Sequence, residues 1–141
     1  MANAIYNKAK YKCMAPGTLG PTSGDSIDLL DDTIKIALID TGTYTFSQTH
    51  EYWSSASSAI VGTAATLASK TVTDNVFDAA DVTFSSVTGV SVEALIIYKD
   101  TGTGATSPLI AYIDVAASGL PVTPNGNNID IQFNASGIFA L

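Results

Sequence analysis

The sequence predicts an all-β fold, a single antiparallel β-sandwich over residues 1–141, with one short helix near 47–55. Three observations predict it. Between Ala59 and Gly89, short runs of Val, Thr and Phe are punctuated by Asn, Asp and Gly at intervals of roughly eight to twelve residues, the spacing of sandwiches and barrels. In IKIALID, Ile34, Ile36 and Leu38 fall on one face and Lys35, Ala37 and Ile39 on the other, which predicts a strand from about Thr33 to Asp40. The stretch VSVEALIIYKDTGTGATSPLIAYIDV, residues 90–115, has two apolar arms joined by a connection rich in Gly, Thr, Asp and Ser. It predicts an antiparallel hairpin with a loop longer than the tightest type. Ala94, Ile96 and Tyr98 alternate with Leu95, Ile97 and Lys99, so both faces of the first arm are apolar. Such a strand belongs in the centre of a fold, covered on each side.

The remaining elements follow in order. Residues 5–14, IYNKAKYKCM, are expected to form an edge strand or arm, with Tyr6, Lys8, Lys10 and Lys12 on one face and Ile5, Ala9, Tyr11 and Cys13 on the other. APGTLGPTSGDS at 15–26 is a loop by composition. Asp28, Asp31 and Asp32 cluster before the first long strand, without the alternate ligand positions, glycine turn and distal Glu of a calcium loop. TGTYTFSQTHEYWSSAS holds the expected helix, capped by Ser47 or Thr49 and packed through Tyr52 and Trp53. Val82 and Phe84 alternate with Thr83 and Ser85 as in a half-buried strand. After the hairpin and the turn-rich SGLPVTPNGN, Ile129, Ile131 and Phe133 share one face of a last strand. The tail residues Ile138, Phe139 and Leu141 are apolar, so the tail is expected to dock on the core or on a neighbour.

Composition narrows the function. The chain is 46% hydrophobic and only 13% charged, too apolar for disorder and low in charge for an isolated monomer, so part of its surface is expected to be covered by a partner. Three of the six basic residues are Lys8, Lys10 and Lys12, there is no Arg, and the formal net charge is −7. An acidic body without Arg is a poor match for phosphate backbones or guanine edges, so no nucleic-acid partner is expected. No apolar run reaches the roughly 18 residues of a membrane span, and the first residues lack an apolar signal core. Synthesis in a cytoplasm and no membrane partner are the expectation.

Chemistry-bearing residues are sparse. His50 and Cys13 are the single histidine and cysteine, and the aspartates follow turns. His50 lacks the nucleophile and orienting partner of a triad, and TGTGATS lacks the Lys-Ser/Thr ending of a phosphate loop. The chain is expected to be no enzyme, with no catalytic residues, no metal and no cofactor. Candidate partner contacts are Tyr6, Lys8, Lys10 and Lys12 on the arm and Ile138, Phe139 and Leu141 on the tail.

Three segments carry a family resemblance: IKIALIDTGTYTFSQTHEYWSS, TVTDNVFDAADVTFSSVTG and EALIIYKDTGTGATSPLIAYID. The pattern is a strand ending in LxD (Leu38, Asp40), a TYxF and THE segment (Tyr44, Phe46, Thr49, His50, Glu51), an ADVTF strand (Ala80 to Phe84), and a hairpin reading Y-KDTGT-ATSPLIAYID from Tyr98. It resembles a family of small structural proteins of tailed-phage virions over residues 34–114, continues loosely into the final strand, and leaves residues up to about 30 unmatched. By size and β content the chain is similar to decoration or cement proteins that clamp capsid shells, some of which are jelly rolls, so the likeness implies a sandwich of jelly-roll type. The resemblance implies a non-enzymatic head protein on the capsid exterior, made in the host cytoplasm. Its implied partners are the major capsid protein and itself, as a dimer or trimer. The alternatives are a tail or head-tail connector component, and a carbohydrate-binding sandwich with Tyr44, Tyr52 and Trp53 as stacking residues.

Overall fold

The computed structural model describes residues 3–14, 26–114 and 120–141. Except for Ser26, the loop expected at 15–26 lies outside the described residues, as do Val115 and the start of the passage at 118–127. The fold is all-β and antiparallel throughout its described pairings. In chain order the elements are β1 (Ala4–Ile5), α1 (Asn7–Met14), β2 (Ile34–Ile39), β3 (Ile60–Thr66), β4 (Thr71–Thr73), β5 (Val76–Asp78), β6 (Val82–Phe84), β7 (Ala94–Lys99), β8 (Leu109–Ile113), β9 (Ile129–Ile131) and β10 (Phe139–Ala140). They form a five-stranded sheet in the order β1-β8-β7-β2-β3, a three-stranded sheet β10-β5-β4, and a ribbon β6-β9. These pairings do not by themselves trace the two Greek keys of a jelly roll.

The predicted hairpin and first long strand make the centre. Ile34 through Ile39 pair with Lys99 through Ala94 along their full length. Ile34, Ile36, Leu38 and Ile39 are buried completely, as are Ile96 and Ile97. Fully burying each such side chain is worth about 1.5–3 kcal/mol, so this β2-β7-β8 triplet dominates the core. α1 packs against β8, and the β6-β9 ribbon lies against β3 through β6. In that ribbon Val82 and Phe84 face inward with Ile129 and Ile131, while Thr83 Oγ1 donates to Asp130 Oδ1 at 2.7 Å on the outside. Phe133 packs beside the core just beyond the strand.

Two expectations are corrected. The N-terminal arm is extended only at Ala4 and Ile5, and residues 7–14 are helical. Lys and Ala are good helix formers, and Tyr6, Ala9 and Cys13, spaced i, i+3, i+7, line the inward side of that turn of chain. The lysine alternation had the period of a strand; the buried set has the period of a helix. Conversely, 47–55 is no α-helix. Ser47 to His50 is a turn, Tyr52 is extended and bridges Pro108, and only short 3-10 turns follow at Trp53–Ser55 and Ser57–Ala59. The Trp53 N–H donates to the Ser107 carbonyl at 2.8 Å, a long-range bond that outcompetes a two-turn helix of Ser, Thr and aromatic residues.

Conserving that tertiary geometry falls to two turns. Asp40 accepts the Gly42 N–H at 2.8 Å and the Thr43 hydroxyl at 2.8 Å, reversing the chain so that Tyr44 and Phe46 return over the sheet. Between β7 and β8, the buried Ser107 hydroxyl donates to the Thr103 carbonyl at 2.8 Å and lies 3.0 Å from the Thr101 hydroxyl. Lys35 bridges to Asp100 at 2.8 Å and Lys99 to Asp32 at 3.0 Å, tying the base of this loop to the turn before β2.

Candidate interaction surface

Both described chain ends meet at one cleft. A cavity of about 550 Å³ is bordered by Asn3, Ala4 and Ile5 of the first strand region, Lys10 of α1, Gln48, the β8 residues Ala111 to Ile113, and the tail from Ile138 to Leu141. Four of the seven predicted contacts, Lys10, Ile138, Phe139 and Leu141, therefore lie around a single opening. Lys8 is exposed on the same helix.

The other two are placed otherwise. Tyr6 is completely buried and Lys12 is 2% exposed, so neither faces a partner in this conformation. The Tyr6 hydroxyl lies 2.9 Å from that of Tyr44, which lies 2.8 Å from His50 Nδ1. Around this chain of polar atoms pack Phe46, 5.4 Å from the Tyr6 ring, and Tyr112, 4.6 Å from Phe46. Burial, reinforced by the Tyr44 hydrogen bond, holds the Tyr6 phenol well above its ordinary range, so Tyr6 stays neutral. Lys12 reaches Glu51 at 2.9 Å and sits 4.4 Å from the centre of the Tyr52 ring. These are the contacts that fix α1 to the body.

The tail is held by a matching device. The turn between β4 and β5 has positive φ at both Asp74 and Asn75, the signature of a type I′ hairpin. Asn75 then clamps the last residue: its carbonyl accepts the Leu141 N–H at 3.0 Å, and its side-chain amide donates to the Leu141 carbonyl at 2.7 Å. Phe139 packs on Phe77 with ring centroids 5.1 Å apart. Gly137, at φ +106°, lets the chain double back where a side chain would meet Val76. The apolar tail thus docks on its own chain, and Leu141 remains 43% exposed.

Asn3, Gln48 and Ala111 complete the cleft and carried no signal in the sequence, because each owes its place to pairing far along the chain. The Gln48 amide donates to the Ile5 carbonyl at 3.1 Å, and Asn3 accepts the Asp114 N–H at 3.0 Å. The remaining stacking candidates are partly occupied. The Trp53 ring lies parallel to Tyr98 within 3°, at a centroid separation of 4.3 Å, and Tyr44 is buried. Among the described residues no His, Cys, Asp and Glu side chains converge as a metal site, and no helix is long and apolar enough to cross a membrane. No family model matches this chain, and no curated protein matches it.

Proposed function

We propose that this protein is a non-enzymatic structural component of a tailed-phage virion, placed on the head as a decoration or cement protein that clamps neighbouring shell subunits. The observation that carries this reading is the convergence of both described chain ends on one apolar cleft beside a cationic helix. A small rigid β body with such a surface is suited to gripping a neighbour rather than transforming a substrate. The finer jelly-roll assignment, like the virion setting, rests on the sequence resemblance. The residues that carry that resemblance support it in a particular way: Asp40, Tyr44, His50 and the loop after Tyr98 all build scaffold contacts. Docking residues then fall in the unmatched N-terminal region and the tail.

The mechanism is linkage. A clamp that binds the assembled lattice and not its free subunits stabilises the lattice by RT ln(1 + [L]/Kd), about 2.7 kcal/mol per site at a hundredfold excess over Kd. The exposed Lys8 and Lys10, set on a body of net charge −7, steer the encounter with acidic neighbours toward α1. The deciding experiment is the copy number of the chain per purified particle, by quantitative mass spectrometry against the major shell protein. A simple ratio to the shell subunit supports the head assignment. A handful of copies moves the protein to the tail or connector, and absence from particles overturns the virion reading. The carbohydrate-binding alternative draws less support, since Tyr44 is buried and one face of Trp53 is covered by Tyr98.

A further inference from the structure

We propose that the cleft is a strand-addition site that takes an extended segment of another protein, apolar along one side and carrying a carboxylate that pairs with Lys10. β1 and β10 are the end strands of two different sheets, and residues of both border the same opening. Antiparallel pairing turns the backbone groups of successive residues alternately toward and away from the neighbouring strand. The Tyr6 N–H goes to Ile110 and the Leu141 N–H to Asn75, so Ile5 and Ala140 turn theirs outward. On the β1 side the Ile5 carbonyl is engaged by the Gln48 side chain, which leaves β10 as the principal edge. Ile5, Ile113, Ile138 and Leu141 supply apolar contact for alternate side chains of an incoming strand.

Charge selects the occupant. Lys12, Lys35 and Lys99 are paired with carboxylates of the same chain, and Lys70 is hydrogen-bonded to the Asp32 carbonyl. Lys10 stands exposed at the rim of the cleft, on a body of net charge −7. A carboxylate is repelled over most of this surface and attracted at Lys10, with the exposed Lys8 on the same helix, which sets where the carboxylate of the segment sits. A second copy pairing edge to edge fits less well. Strands of two residues offer each other few hydrogen bonds, whereas one through-running segment engages β1 and β10 together.

The test does not depend on the virion reading. The probe is a blocked eight-residue peptide alternating valine and threonine with a single glutamate, titrated into the full chain by fluorescence anisotropy and followed by amide hydrogen exchange. Saturable binding with new protection at the Ala140 amide is expected. Ala140→Pro, which removes that N–H, is expected to weaken binding at least tenfold. Lys10→Glu is expected to weaken the glutamate peptide about tenfold and to prefer a peptide with lysine in its place. Hydrogen exchange in the unmodified protein keeps the test independent of any effect of proline on the tail. No saturation by about 1 mM, or binding without protection at Ala140, overturns the proposal. So does self-association that Ala140→Pro abolishes while the peptide fails to bind, which would assign the cleft to a second copy.

Discussion

Lys12 Nζ lies 2.9 Å from Glu51 Oε1, and the two differ sharply in exposure: the lysine side chain is 2% accessible and the carboxylate 33%. The pair joins α1 to the segment that bridges β8, since the Glu51 carbonyl also accepts the Leu109 N–H at 2.9 Å. A lysine introduced as a surface feature of an arm is thus a structural pin.

The unequal burial predicts unequal mutants. Glu51→Ala removes the carboxylate 2.9 Å from a buried ammonium and is expected to cost about 3 kcal/mol. Lys12→Met keeps the buried stem and leaves a carboxylate that water can reach, so its cost is expected to be about 1 kcal/mol. Urea denaturation of both variants measures the order. Equal losses would mean that the aliphatic stem, and not the charge, holds the helix.

The same pair explains what was legible in the sequence and what was not. β2, β7 and β8 could be read directly, because Ile34 to Ile39 and Ala94 to Tyr98 combine β-branched composition with burial on both faces. The β6 and β9 ribbon was legible from strict alternation. At residues 5–14 two periods coexist in one segment, and the contact that favours the helix comes from Glu51, far along the chain. At 47–55 the local pattern suggested a helix, while Pro108 and Ser107 drew Tyr52 and Trp53 into an extended bridge. The tail residues of the cleft were visible as an apolar chain end. Gln48 and Ala111 were not, since pairing across the fold alone brings them there.

Gly137 bears directly on the tail. An added Cβ would lie 2.3 Å from Val76 Cγ1 and 3.3 Å from the Phe77 carbonyl oxygen, at a φ of +106° that side chains rarely adopt. Gly137→Ala is therefore expected to release β10 from β5, with a loss of about 1–3 kcal/mol. Hydrogen exchange should show faster exchange at the Ile138 and Leu141 amides and unchanged protection in β2 and β7. Uniform loss of protection would mean that β10 belongs to the global folding unit.

Cys13 tests the packing of α1. Burial, with a smaller contribution from Asp32, pushes its thiol up to about 11. An unfolded cysteine titrates near 8.5, so at pH 8 the native thiolate fraction is lower by a factor on the order of a hundred. Reaction with a chromogenic disulfide reagent is expected to be slower by at least that factor in the native protein than in urea. Comparable rates would show that α1 opens readily from the body.

Asp100 gives the acid limb of stability its sign. The Lys35 hydrogen bond, then the Gly102 N–H, hold its carboxyl below the usual range. A folded-state value below the unfolded one, about 3.9, favours the folded state fully above pH 4 to 5. That contribution disappears as pH falls through the folded value. Because the pair is a quarter to a third exposed, its worth at pH 7 is about 1 kcal/mol or less. Asp100→Asn keeps an acceptor for Gly102 and removes the charge. Urea midpoints for the two proteins are expected to differ at pH 7 and to converge in acid as the carboxyl protonates. A difference that persists at low pH would trace the effect to loop geometry and not to the Lys35 pair.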